Sequence, residues 1–136
     1  MSWSNQATIP ADAELIATTV LREMLPANVK VVPDFINVSP TDTAIVVSRI
    51  GGFPVANGLR DQVNIMLTAV APSKEAAWDV IASACAVMYS IPKIGTHSCT
   101  AVVVMNSPTS IPVEHGSDGA ARYRATFYML VANQSV

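Results

Sequence analysis

Between Arg60 and Val70 the chain alternates: Val63, Ile65, Leu67 and Ala69 fall on one side of an extended strand, and Arg60, Gln62, Asn64, Met66 and Thr68 on the other. A two-residue period belongs to a strand with one face in a core and the other turned away from it. The same asymmetry returns from Arg122 to Val131, where Tyr123, Ala125, Phe127, Met129 and Val131 oppose Arg122, Arg124, Thr126, Tyr128 and Leu130. Two long strands of this kind need a second layer over their apolar side.

Two helical stripes supply it. Ala13, Ile16, Ala17, Val20, Leu21 and Met24 recur with helical spacing, Pro10 suits the first turn, and Pro26 closes the segment. Ser73 is the expected N-cap of a second helix that carries Ala77, Val80, Ile81, Ala84, Cys85 and Met88 on one side and runs to about Ser90, before Ile91-Pro92. Val29 to Val32 reads as a short strand, Pro33 to Thr43 as a loop, and Ala44 to Ile50 as a further strand broken by Gly51 and Gly52, with a tip from Phe53 to Gly58. Cys99 to Asn106 reads as a strand, and Ser107 to Ala121 as a long turn-rich loop of the kind that is usually functional or mobile. The expected fold is α+β in two layers, one mostly antiparallel sheet with two helices packed on one face, and a single domain over residues 1–136.

Composition narrows the function. Of the 136 residues 51% are hydrophobic and only 13% charged, and the mean hydropathy is +0.39, which excludes a disordered chain and leaves apolar surface for a partner. A net charge of −2 supplies no general field for nucleic acid or an anionic membrane. Met1 to Pro10 lacks the pattern of a signal peptide, and the apolar helix candidate from Val80 to Ile91 is too short to span a bilayer. Cys85 and Cys99 show no metal or redox spacing and read as buried free thiols of a protein folded in a reducing compartment.

No constellation carries chemistry. His97 and His115 belong to no paired-ligand motif and read as solvated or structurally bonded, no carboxylate pair has acid–base spacing, and no glycine-rich phosphate loop occurs. The expectation is a protein without catalytic residues, cofactor or metal.

Missing charge is the more informative signal. Neither the Gly51–Leu59 segment nor the whole stretch between Lys93 and Glu114 contains Asp, Glu, Lys or Arg. Segments presenting Phe53, Pro54 and Val55, or Ile111, Pro112 and Val113, suit burial in an interface, though they suit equally a fold back onto their own sheet. Four of the five arginines, Arg49, Arg60, Arg122 and Arg124, gather on the strands and their ends. They form either an ordinary solvated sheet face or one that lines a channel or meets a neighbouring subunit.

Taken together, the helix ending Leu25-Pro26, the strand ending Ser48-Arg49-Ile50-Gly51-Gly52, the helix Ser73-Lys74-Glu75-Ala76-Ala77-Trp78 and the closing Arg122-Tyr123-Arg124-Ala125-Thr126-Phe127 resemble the lambda-type tail terminator (tail completion) proteins of long non-contractile-tailed bacteriophages. The resemblance implies a non-enzymatic virion protein, made in the host cytoplasm and located at the neck end of the tail. It implies a homo-oligomeric ring, a hexamer, that caps the tail tube, stops its polymerisation and joins head-tail connector proteins, with non-specific passage of DNA through the ring and no membrane partner. Arg49, Gly51, Gly52, Arg122, Tyr123 and Arg124 match the family pattern and are expected in the sheet and its ring contacts. Phe53, Pro54 and Val55 join them as interface candidates on their bare apolar character. Other neck components, a head completion or stopper protein, share much of this reading, and a small ligand-binding or enzymatic α+β domain is the alternative of a different class.

Overall fold

A computed structural model describes residues 8–55, 60–94, 98–111 and 120–135. Along the chain run β1 (Thr8–Pro10), α1 (Ala13–Met24), β2 (Lys30–Val32), β3 (Ala44–Val55), β4 (Arg60–Ala71), α2 (Lys74–Ile94), β5 (Cys99–Ile111) and β6 (Ala121–Ser135). The strands form one sheet in the order β2-β3-β4-β6, with β5 along the far side of β6 and β1 on the end of β6 beyond it. All pairings are antiparallel except β2 with β3. The two-layer α+β architecture is therefore as the sequence predicts.

Each helix starts where local chemistry satisfies its first donors. Asp12 Oδ1 accepts from the Leu15 N–H at 3.0 Å and caps α1, while Ser73 Oγ accepts from the Ala76 N–H at 3.2 Å and caps α2. Arg22, in the last turn of α1, donates from Nε and Nη2 to the Val31 carbonyl at 3.2 and 2.9 Å, which fastens the helix to β2. Lys30 Nζ lies 2.9 Å from Asp42 and, with the Ser39 N–H, holds the Asp42 carboxyl below its ordinary range. This ties down the segment between β2 and β3.

The core lies between helices and sheet. Rows of side chains run across the strands from Val47 through Leu67 to Ala125, and from Ile65 to Phe127, all fully buried beneath α1 and α2. Tyr89 of α2 meets Phe127 edge-on at 5.8 Å, and Trp78 meets Tyr123 at 5.6 Å. Emptying a site such as Phe127 costs about 3–5 kcal/mol. Cys85 and Cys99 are buried free thiols on this side, as expected.

Several boundaries differ from the sequence reading. Pro10 ends β1 rather than opening α1, because the backbone of Thr8–Pro10 pairs with Asn133–Ser135 before Asp12 begins the helix. α2 continues past Ser90 to Ile94 with Pro92 inside its last turn, where fully buried Ile91 anchors the extra residues. Gly51 and Gly52 do not break β3. The register shifts by one residue between Arg49 and Gly51, a bulge that leaves Ile50 unmatched, and the strand runs on to Val55 against Arg60. Ser107–Ile111, expected to open a loop, instead continue β5, with Pro108 at the last of three irregularities in its pairing, between Asn106 and Thr109. β5 pairs only with β6, and an edge strand tolerates a proline that an inner one would not. His97, His115, the Ala56-Asn57-Gly58 part of the tip, and residues 112–119 of the expected loop with Pro112 and Val113, lie outside the described residues.

Candidate assembly surface

The side of the sheet away from the helices is built by the alternate residues. One cross-strand row runs Ala44, Val70, Arg122, Ile111; the next runs Val46, Thr68, Arg124, Thr109; a third runs Ser48, Met66, Thr126, Asn106. The sequence predicts a mostly polar face here, and at one end the structure corrects this: Ala44, Val46, Thr68, Val70 and Thr126 are all buried. The segment after β2 contributes to that cover, for the Arg122 guanidinium lies 5.5 Å from the centre of the Phe35 ring. Next to it Arg124, Ile50, Met66, Thr109, Ile111 and Thr126 line an open groove of about 420 Å³.

The other end of the face is open and apolar. Ile50 is 49% exposed, Phe53 54%, Met105 48% and Val103 39%, and no charge falls within Ile50–Val55 or Cys99–Ile111, with Arg49 just before Ile50. Phe53 is in register with Gln62 and Leu130, and Val103 with Tyr128, so both belong to the face opposite the helices. Ile50 projects toward the same side because the bulge gives β3 one residue more than β4 can match.

The nine candidate residues do not share one surface. Phe53 and Arg124 are exposed on the open face and Arg122 is half-buried there, whereas Arg49 and Tyr123 belong to the helix side. Arg49 Nη2 donates to Asp61 Oδ2 at 3.1 Å, its backbone N–H donates to Glu14 Oε2 at 3.3 Å, and Tyr123 packs on Trp78. Grouping Arg49 with Arg60, Arg122 and Arg124 is thus corrected by its register with Ile65 and Phe127. Arg60 instead reaches Thr100 Oγ1 at 3.2 Å, linking β4 to β5 across β6.

Gly51 and Gly52 shape the arm. Their φ angles of 145° and 135° are rare for residues with a side chain, and a Cβ on Gly52 would stand 2.1 Å from the Gln62 carbonyl oxygen. Pro54 is exposed and Val55 half-buried at the end of the same arm. Sequence reasoning missed Ile50, Val103 and Met105. The signal was present in the uncharged run Val102-Val103-Val104-Met105, but which alternate residues face outward depends on the pairing with β6.

Nothing among the described residues suggests chemistry at this surface. No three His, Cys, Asp or Glu side chains come together there or elsewhere among those residues, and no described helix is long and apolar enough to cross a membrane. Burial pushes the Cys85 thiol up to about 11 and raises that of Cys99, so neither is a ready nucleophile.

A two-layer α+β domain whose open sheet face exposes Ile50, Phe53, Val103 and Met105 is a scaffold suited to contacts between proteins. A family model described as phage tail termination protein matches residues 10–111, and the chain belongs to that family. No curated protein sequence matches it.

Proposed function

We propose that this protein is the terminator that ends tail-tube growth in a long, non-contractile phage tail, acting by shape and without catalysis. Subunits close into a ring, a hexamer, that sits on the last tube layer at the neck, stops further addition of the tube protein and offers its other side to the head-tail connector. DNA passes through the ring without sequence-specific contact, in keeping with the chain's small negative net charge. The observation that carries this reading is the exposed apolar band of Ile50, Phe53, Val103 and Met105, crossed by Gln62 and Asn64 of β4 and bordered by Arg124, in a chain of the tail termination family. Such a band is costly to leave in water and is stabilised by burial against other subunits.

The test is assembly on tubes. Purified protein added to growing tail tubes should appear by negative-stain microscopy as a ring on tube ends. A protein that stays monomeric at every concentration and ignores tube ends would sink the reading.

A further inference from the structure

Among the described residues, the two outermost long strands of the sheet each keep an unpaired edge. β3 pairs with β2 only along Ala44–Val46, so from Val47 to Val55 its outer side meets no other described strand. β5 pairs with β6 alone, so its outer side is likewise unmatched by any described strand. Open edges of this length template pairing with another chain, and proteins that must stay apart guard them with charges. Arg49 is the one charge in Val47–Val55, and Glu14 of α1 accepts its backbone N–H; beyond it neither Ile50–Val55 nor Cys99–Ile111 carries a charge, so these are the stretches left to pair. Pro54 and Pro108 mark each strand as an edge, yet each lies toward one end and leaves most of its strand able to pair.

We infer that the ring is closed by the sheet itself: the open side of β3 in one subunit pairs antiparallel with the open side of β5 in a second copy of this chain. This rests on the ring reading above and specifies its joint. Strand directions agree with it. β3 and β6 run one way and β4 and β5 the other, so a neighbour rotated about an axis along the strands brings its β3 beside β5 in the opposite direction. The two edges lie on opposite sides of one sheet, which makes the contact head-to-tail, the type that generates a closed ring when the rotation permits. The exposed side chains agree as well. Ile50 and Phe53 flank one edge and Val103 and Met105 the other, so pairing continues one apolar band from subunit to subunit.

The experiment blocks one edge at a time. Ile50→Lys/Phe53→Lys charges the β3 edge, Val103→Lys/Met105→Lys charges the β5 edge, and all four residues are exposed, so at dilutions where the wild type is monomeric the thermal unfolding of each variant should match it. By sedimentation velocity, each variant alone should be monomeric under conditions where the wild type forms rings. An equimolar mixture should yield a heterodimer and nothing larger, because one variant keeps an intact β3 edge and the other an intact β5 edge. Variants that still form the wild-type ring would overturn the edge pairing while leaving the ring. One variant forming homodimers alone, or a mixture that stays monomeric, would overturn the head-to-tail arrangement. A wild type that forms no ring, alone or on tail tubes, would overturn the ring reading and this inference with it.

Discussion

Arg49 and Asp61 form an ion pair at 3.1 Å on the helix side of the sheet, with the carboxylate almost wholly buried and the guanidinium half out in solvent. The pair ties β3 to β4 just where the bulge redirects β3, so it supports the fold. Removing Arg49 would leave Asp61 buried without its cation. Arg49→Ala should therefore cost about 1–3 kcal/mol in urea unfolding. Arg124→Ala, on an exposed side chain of the opposite face, should stay within about 0.5 kcal/mol. Equal small effects from both would show that the Arg49 pair contributes little.

The bulge makes a sharper comparison between adjacent glycines. Gly51→Ala makes only an ordinary contact with the Asn64 side chain at 4.0 Å and suffers from its φ of 145°, a strain of about 1–3 kcal/mol. Gly52→Ala adds a collision with the Gln62 backbone and should destabilise by more, with the loss of amide protection concentrated in Gly51–Val55 and Arg60–Asn64. Hydrogen exchange of both variants checks this. Equal protection in the two would mean that the arm relaxes around an added methyl group.

How much of this was legible beforehand follows from where the information sits. β4 and β6 could be read residue by residue because Val63, Ile65 and Leu67, like Ala125, Phe127 and Met129, obey one period from end to end and are all buried. The glycines misled because Gly-Gly ordinarily ends a strand, whereas here positive φ angles absorb the extra residue and the strand resumes. Pro108 misled similarly, its tolerance depending on β5 being an edge strand. Three-residue β1 carries no period at all. Of the candidate surface, Phe53 was legible as an uncharged aromatic residue, but the sorting of Arg49 to the helix side and the openness of β3 and β5 are consequences of strand order, which no local pattern encodes.

The buried thiols give a pH dependence with a definite sign. With Cys85 pushed up to about 11 from an ordinary value of 9.0, the folded chain keeps a proton that the unfolded chain loses between those values. Stability should be unaffected by this group below the unfolded value and should fall as pH rises through the window. Urea unfolding at about pH 8 and about pH 10.5 should show a larger loss for the wild type than for Cys85→Ala. Equal losses would show that Cys85 titrates as an exposed thiol.

Phe53 separates folding from assembly. It is 54% exposed, so Phe53→Ser should change the stability of the monomer by no more than about 0.5 kcal/mol. Burial against a partner is worth up to about 1.5–3 kcal/mol for such a side chain, repeated in every subunit of a ring. Complementation of a terminator-deficient phage with this variant should then give tails of irregular length or tails that fail to join heads. A several-kcal/mol drop in monomer stability would instead place Phe53 in the protein's own core.

Whether this chain stops tube growth is read most directly from the length distribution of tail tubes polymerised with and without the purified protein, by electron microscopy. Added protein should halt elongation and leave a ring at the terminated end. Tubes that elongate equally in its presence, with bare ends, would contradict the proposed function.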